Sequence, residues 1–370
     1  MTADPTQTEC PACADERAAG ASFCEECGRP LTVAKQPPGT PHAESPALPG
    51  AGSPATCPSC ATAGAVGDDG YCTHCGLLAA RPRDHLELLT GPVGAVTDRG
   101  KRHHRNEDAV WIAARGADAD NVVCDGVSSS FDPDAASAAA AATAGQWLAK
   151  AGASPEADVL AEIAAAIVAA GADVAALADT GDPRRGAANP ACTIVAATVR
   201  ESVIHFGWVG DSRAYWVPRH GPAVQLTEDD SWARHAISAG MDHDVAMSDR
   251  KAHAITAWLG ADAGVIEPST GRFTPAEPGH LLLCSDGLWN YLPDPAALAD
   301  TVRTQLAVAA DSTAAARGLT AYANDCGGSD NITVALTPVA PAAAPASTGA
   351  PASTGAPAFG VPADGGDQAQ

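Results

Sequence analysis

The chain has 370 residues, 46% of them hydrophobic and 4% aromatic, with 22 Lys and Arg against 44 Asp and Glu for a formal net charge of -22. That length allows more than one domain and a full apolar core. The acidic balance excludes general nucleic-acid binding, which draws its affinity from Lys and Arg clustered on phosphates.

No charged start followed by an apolar core and a cleavage site precedes Cys10, so the expectation is a chain without a secretory signal that stays in the cytoplasm. The most apolar stretch, 161–178, carries Glu162 and Asp173 and is rich in alanine rather than leucine, which predicts a helix of a globular domain and no membrane span.

Eight of the 12 cysteines fall into four CxxC pairs near the start. Cys10 and Cys13 with Cys24 and Cys27 form one set over residues 8–30; Cys57 and Cys60 with Cys72 and Cys75 form a second over 56–79. Two tight turns that each present two thiolates supply the four soft ligands of tetrahedral zinc, and segments this short have no other core. A redox use of the CxxC pairs would need one pair beside a long helix rather than two near-repeats. The two sets resemble paired zinc ribbons, with one zinc ion expected in each. His74 lies inside the last CxxC and His42 in the intervening stretch; with four cysteines already present, both are expected as solvent-facing side chains.

Residues 31–55 are rich in Pro, Gly and Ser and almost free of large apolar side chains, which predicts an extended, mobile linker. Residues 339–370 repeat an APASTG unit and predict a disordered Ala- and Pro-rich tail.

Between them, over 86–338, apolar strand-like runs recur at NVVCD, CTIVAATV, SVIHFGWVG, RAYWV, HLLLCS and NITVAL. Helical stretches are predicted near 132–149, 155–178, 230–239, 294–308 and 311–324, several opening on Asp or Ser at a capping position. Strands come in adjacent pairs before helices do. That order predicts an α+β fold with antiparallel sheets covered by helices.

The chemistry sits where strands end. Asp125 follows NVVC, Asp211 follows HFGWVG, Asp286 follows HLLLCS, and Asp330 opens NITVAL. Any one aspartate at such a place is ordinary turn chemistry. Four of them, with Glu107 and Asp108 after a basic cluster running from Arg99 to Arg105, are the parts of a phosphate-processing metal site. Carboxylates hold Mg or Mn with waters retained, and a guanidinium grips phosphate through two hydrogen bonds. Two such ions about 3.5–4 Å apart lower the pKa of a shared water and aim it at phosphorus.

The ordered set RNEDAV, CDGV, ACTIVAATV, WVGDSRAYW, LTEDDSW, AITAWLG, LLLCSDGL and SDNITVAL resembles the metal-dependent type 2C (PPM-type) serine/threonine protein phosphatases across about 250 residues. The resemblance implies a β-sandwich of two antiparallel sheets flanked by helices, preceded here by the two small zinc ribbons. It implies metal-dependent hydrolysis of phosphoserine and phosphothreonine in phosphoprotein substrates, opposing a serine/threonine kinase. It implies two or three Mn or Mg ions, with Asp125 bridging two of them and the Gly126 carbonyl a ligand. Asp286 and Asp330 complete one shell, Glu107 and Asp108 serve the other through waters, and Asp211 with Asp286 helps hold a third ion. Residues 226–260 match the variable flap beside the site.

Two departures stand out. The family's phosphate-binding arginine falls on His103, flanked by Arg102 and Arg105, either of which is a candidate for that role. The histidine that protonates the leaving group in many members is replaced at Ala109 and Val110, leaving metal-held water, His103 or His104 as general acid.

Three rival readings are weighed. A thiol-based phosphatase needs Cys and Arg at the ends of one phosphate-cradling loop; among the cysteines only Cys75, with Arg81, has a matching spacing, and Cys75 already belongs to the second ribbon. Cys124 and Cys284 read as core. A regulatory scaffold that binds a protein partner through its ribbons, with a vestigial metal site, is kept open by His103 and opposed by the full set of acids, since such a cluster repels itself without metal. A nucleic-acid role for the ribbons lacks a basic face, so a protein is the expected ribbon partner.

Overall fold

In the computed structural model the described residues are 42–45, 56–57, 59–67, 70–77, 79, 81–152, 158–179 and 181–341. The first cysteine set, Cys10, Cys13, Cys24 and Cys27, most of the linker and the tail beyond 341 lie outside them. Among the described residues, two six-stranded sheets face each other, and every pairing in them is antiparallel.

The strands run in chain order as β1 (His42–Glu44), β2 (His85–Thr90), β3 (Val93–Asp98), β4 (Ala109–Arg115), β5 (Asp118–Cys124), β6 (Ala191–Cys192), β7 (Ile194–Arg200), β8 (Val203–Val209), β9 (Arg213–Pro218), β10 (Val224–Gln225), β11 (Leu259–Gly260), β12 (Ser269–Phe273), β13 (Gly279–Cys284) and β14 (Ile332–Val339). One sheet has the order β1-β4-β5-β7-β8-β12, the other β10-β9-β13-β14-β3-β2, and β6 pairs with β11 beside them.

The side-chain period of two explains the layering. Along β4, Val110, Ile112 and Ala114 enter the core between the sheets, while Ala109, Trp111 and Ala113 face the helices outside. Along β13, Leu281 and Leu283 point between the sheets, and Leu282 and Cys284 toward the opposite helical layer. Strands buried on both faces need no polar alternation, which is why these runs are continuously apolar.

Helices Pro133–Ala151 and Val159–Ala176 cover the first sheet; Pro295–Val308 and Ser312–Asp325 cover the second. Asp294 and Asp311 cap where the sequence placed them, accepting from Ala297 N and Ala314 N; the other two caps lie inside the predicted stretches, Asp158 accepting from Leu160 N and Ala161 N and Ser231 from Arg234 N. Asp132 behaves differently, sitting at φ 54 without a cap bond and pairing with Arg185 at 2.9 Å. Among the described residues one stretch, Val159–Asp179, is long and apolar enough to cross a membrane by length and composition. Its apolar stripe, Ile163, Ile167 and Val174, is buried against the first sheet.

Two expectations need correction. Within the linker, residues 42–44 form β1, an added edge strand on β4, with Glu44 opposite Trp111 and the His42 ring stacked on that tryptophan at 5.4 Å. Composition missed it because an edge strand draws its affinity from main-chain hydrogen bonds rather than from apolar side chains. The short helices Pro183–Ala187, His243–Ser248 and Asp286–Trp289 also escaped the reading. They span a turn or two each, too short for a periodicity signal. In the flap region, helix Trp232–Ser238 meets His243–Ser248 through Ala233, Ala246 and Ala252, a small cluster separate from the main cores.

Candidate active site and metal centres

Antiparallel pairing sets the end of one strand beside the start of its neighbour, and this decides where the acids go. Ala109 is opposite Cys124, so Glu107 and Asp108, just before β4, stand beside Asp125, just after β5. Cys284 is opposite both Val334 and Arg213, so Asp286, after β13, is near Asp330 before β14 and Asp211 before β9. Ile332 is opposite Asp98, which brings the basic loop that leaves β3 to the same end of the sandwich. Residues far apart in sequence thus meet on one edge.

The joint between the sheets is polar and closely specified. Asp108, 1% exposed, accepts through Oδ2 from Ser285 Oγ at 2.8 Å and Thr333 Oγ1 at 2.7 Å. Its Oδ1 is buried without a protein hydrogen-bond partner. Glu107 Oε2 accepts from Ser128 Oγ at 2.7 Å. Asn290 Nδ2 donates to Asp286 Oδ2 at 3.1 Å, and Asp330 Oδ1 accepts from Asn331 N at 2.8 Å. Asp211, 9% exposed, is held through its carbonyl by Trp289 Nε1 at 3.0 Å. Asp125 is half-buried, and its carbonyl accepts from Thr193 N at 2.8 Å.

Two glycines let backbones approach. A Cβ on Gly126 would stand 2.6 Å from the Glu107 carbonyl oxygen, and one on Gly100, at φ +73, would stand 2.1 Å from that of Asp330.

Gathering so many carboxylates in a buried place has an electrostatic cost that appears in their proton affinities. Burial, then Asp108, Asp286, Asp211 and Asp330, pushes Asp125 well above the usual carboxylate range. Burial lifts Asp108 to about 7, against the hydrogen bonds from Thr333 and Ser285 and with the charges of Asp330 and Asp286 adding to it. Asp211 rises to about 7 through burial and Asp286. Asp286 rises to about 6 through burial and Asp330, and it shares a hydrogen bond with Asp125. Glu107 rises through burial. A set of oxygen donors that cannot all ionise together, with one buried oxygen lacking a protein partner, fits hard divalent cations.

The basic loop is less simple than its composition. His103 Nε2 lies 3.1 Å from Asp330 Oδ1, so the histidine at the family's arginine position is engaged with one of the acids. Arg105 Nη1 lies 3.5 Å from Asp134 Oδ1, while Arg102 is exposed. Sequence reasoning missed Asp134 and Asn331. Asp134, in the first turn of helix Pro133–Ala151, is buried and also accepts from Arg81 Nη1 at 3.1 Å. Asn331 donates from Nδ2 to the carbonyls of Arg99, at 2.8 Å, and Arg105, at 3.1 Å, while its Oδ1 accepts from Glu107 N at 2.7 Å. One amide therefore ties both ends of the loop to the acidic pair. A polar residue wedged between Asp330 and an apolar strand was the available signal.

The second cysteine set closes on itself. Cys57 Sγ and Cys75 Sγ are 3.7 Å apart, Cys60 Sγ and Cys72 Sγ 3.6 Å, and all four sulfurs lie within 4.8 Å of one another. Four sulfurs at about 2.3 Å from one ion in tetrahedral array stand about 3.8 Å apart, so these thiols fit zinc. Cys60 Sγ lies 3.2 Å from Thr62 Oγ1, and that contact leads in holding its thiol down to about 5. His74 stands exposed, as expected beside four cysteines. By contrast Cys124 and Cys284 are buried, their thiols pushed up by desolvation, Cys284 to about 12. Arg81 is engaged with Asp84 and Asp134, away from a thiol cradle.

Comparison with known proteins agrees with this geometry. A family model described as Protein phosphatase 2C matches residues 98–322. The serine/threonine phosphatase stp of Listeria monocytogenes is 32% identical over 145 residues, 39% of this chain and 55% of that protein. The serine/threonine protein phosphatase PstP of Mycobacterium tuberculosis is 27% identical over 247 residues, 66% of this chain and 44% of that protein. The chain spans about half the length of these curated relatives. Among solved structures, the M. tuberculosis phosphatase PstP/Ppp superposes with a TM-score of 0.54 at 25% identity, covering 69% of this chain and all of that one. The serine/threonine phosphatase of S. agalactiae gives 0.53 at 27% identity, covering 66% and 97%.

Proposed function

We propose, from the premise that this chain belongs to the protein phosphatase 2C family, that it hydrolyses phosphoserine and phosphothreonine esters in proteins. The observation that carries this reading is the convergence of Asp125, Asp286, Asp330, Asp108 and Glu107 where the two sheets end, with mutual charge repulsion that an added cation relieves. Asp125, the Gly126 carbonyl, Asp286 and Asp330 would hold Mn or Mg, Glu107 and Asp108 would order its waters, and Asp211 with Asp286 would hold a third ion. When bound, such ions supply a water that is deprotonated at neutral pH and positive charge for the phosphoryl oxygens.

The chain's own residues do the rest. Asn331 holds the basic loop against Glu107. Arg105, drawn toward the site by Asp134, is the better placed of the two candidate arginines to grip phosphate, since Arg102 is exposed. His103, its ring set against Asp330, is the candidate to protonate a leaving alkoxide. Ser285 and Thr333 orient Asp108.

The second cysteine set holds zinc in this reading, and Cys10, Cys13, Cys24 and Cys27 hold another. The substrates are phosphoproteins made by a serine/threonine kinase, the site of action is the cytoplasm, and the ribbons meet a protein partner. Asp286→Asn tests the core of the proposal: loss of manganese-dependent turnover of phosphopeptide and of a small aryl phosphate is expected, and full activity in that variant would sink it.

A further inference from the structure

Among the described residues, the second ribbon is tied to the sandwich by the segments that flank it and by one tyrosine within it. Before the ribbon, Ser45 N donates to the Val110 carbonyl at 2.9 Å, and Ser45 Oγ accepts from Val110 N at 3.1 Å, continuing the β1–β4 ladder. After it, Arg99 N donates to the Asp84 carbonyl at 2.8 Å, and Asn106 Nδ2 to the Arg83 carbonyl at 3.0 Å. Between these tethers, Tyr71 Oη lies 3.0 Å from His104 Nδ1, with the rings edge to face at 6.0 Å. These contacts fall on residues 99–110, which also carry the basic loop, Glu107 and Asp108; among the described residues the flanks are held further by β1 on residues 111–113 and by Arg81 on Asp134.

Tyr71 owes its place to the thiols. Its neighbour Cys72 pairs with Val66 in a β-bridge and puts Sγ 3.6 Å from Cys60 Sγ. A cluster of this size, with Cys57, Cys72 and Ala65 as its buried residues, keeps its shape only with its metal. In the loop it touches, Lys101, Arg102 and His104 are exposed, so a contact from outside adds to the little packing that holds them.

Resting on the phosphatase reading above, we infer that the zinc-loaded second ribbon positions the phosphate-gripping loop, with the Tyr71–His104 hydrogen bond as the coupling. Tyr71 is a positioning residue: it acts through His104 and the loop rather than on the ester. Zinc occupancy in the ribbon then sets how well the site captures a phosphorylated segment, while the acids that hold the catalytic ions stay in place. The ribbon surface around Tyr71 becomes an outer wall of the entrance, in reach of residues flanking the phosphate of a protein substrate.

The test uses the full chain with its zinc and with manganese. In Tyr71→Phe, which removes one hydroxyl, we expect KM for a phosphopeptide to rise on the order of 3- to 10-fold, the range set by one hydrogen bond. We expect kcat within about twofold, zinc content unchanged, and faster amide exchange across 99–106. The exchange rate of the double variant with His104→Gln should not exceed that of the faster single variant, since both break the same bond. Cys57→Ser should lose one zinc, loosen 99–106 in the same way and leave manganese content unaltered. Unchanged exchange across 99–106 in Tyr71→Phe overturns the inference, as does a fall in kcat at constant KM or a loss of zinc in that variant. If the wild-type chain turns over no phosphoester, the phosphatase reading fails by itself, and the exchange measurements still decide the coupling.

Discussion

The four-thiol ribbon and the acidic edge of the sandwich solve opposite problems with the same device. In the ribbon, Cys57, Cys60, Cys72 and Cys75 are themselves most of the interior, so an ion would create the fold. In the sandwich, three apolar clusters build the fold first, and the acids are an electrostatic burden that this fold carries. In the proposed reading a metal would organise the first module, whereas the second has an apolar core of its own and would use metal for chemistry. The contrast teaches that removing a ligand should unfold the first region and leave the second at least as stable, and that prediction can be broken.

The largest effect belongs to Asp286→Asn. Turnover should fall by at least ~100-fold, beyond the 10- to 100-fold typical of residues that merely support a ligand. Thermal melting of the metal-free variant should be no lower than that of the wild type, since one member of a repelling set is gone. A melting point several degrees lower would erase the contrast. Next, Cys57→Ser should abolish exchange protection across 59–77 while the sandwich still unfolds in one cooperative step at nearly the same temperature, followed by calorimetry.

The pH dependence sharpens the same point. Asp108 and Asp211 at about 7 and Asp286 at about 6 stand above the ordinary 3.8, so the folded metal-free state keeps protons that the unfolded chain has released. The stability these groups contribute to the metal-free protein should therefore be full below pH 3.8 and be lost as pH rises to about 7. Excess manganese should reverse that slope, because ions bind only the deprotonated acids. Melting curves from about pH 5 to 8, with and without manganese, read both slopes.

Smaller effects come from the supports. Asn331→Ala leaves the carbonyls of Arg99 and Arg105 and the Glu107 amide without their partner, and a loss of about 1–3 kcal/mol is expected in denaturant unfolding. Asp294→Ala removes the cap on Ala297 N, far from either metal site, and should cost about 1 kcal/mol with activity intact.

Much of this molecule was legible as a string. Continuous apolar runs located β5, β7, β8, β9, β13 and β14, because strands buried on both faces carry their signal in composition. The capping aspartates Asp294 and Asp311 marked where two main helices begin, and CxxC spacing marked the thiol cage, because both are local chemistry. Each acid could be found at a strand end with a turn residue beside it. Less legible were β1, whose binding is through main chain, and Asp134 and Asn331, whose partners lie on other elements.

What residues 1–370 determined alone was therefore the inventory: which segments bury themselves, which thiols are spaced to share an ion, and which acids stand at the ends of strands. What only the tertiary structure decided was adjacency. Antiparallel register placed Asp108 beside Asp125 and Asp286 beside Asp330, turned His103 onto Asp330, and set Tyr71 against His104. The reason is physical: propensity and period act over a few residues, whereas charge repulsion and hydrogen bonding act through space between groups that only packing brings together.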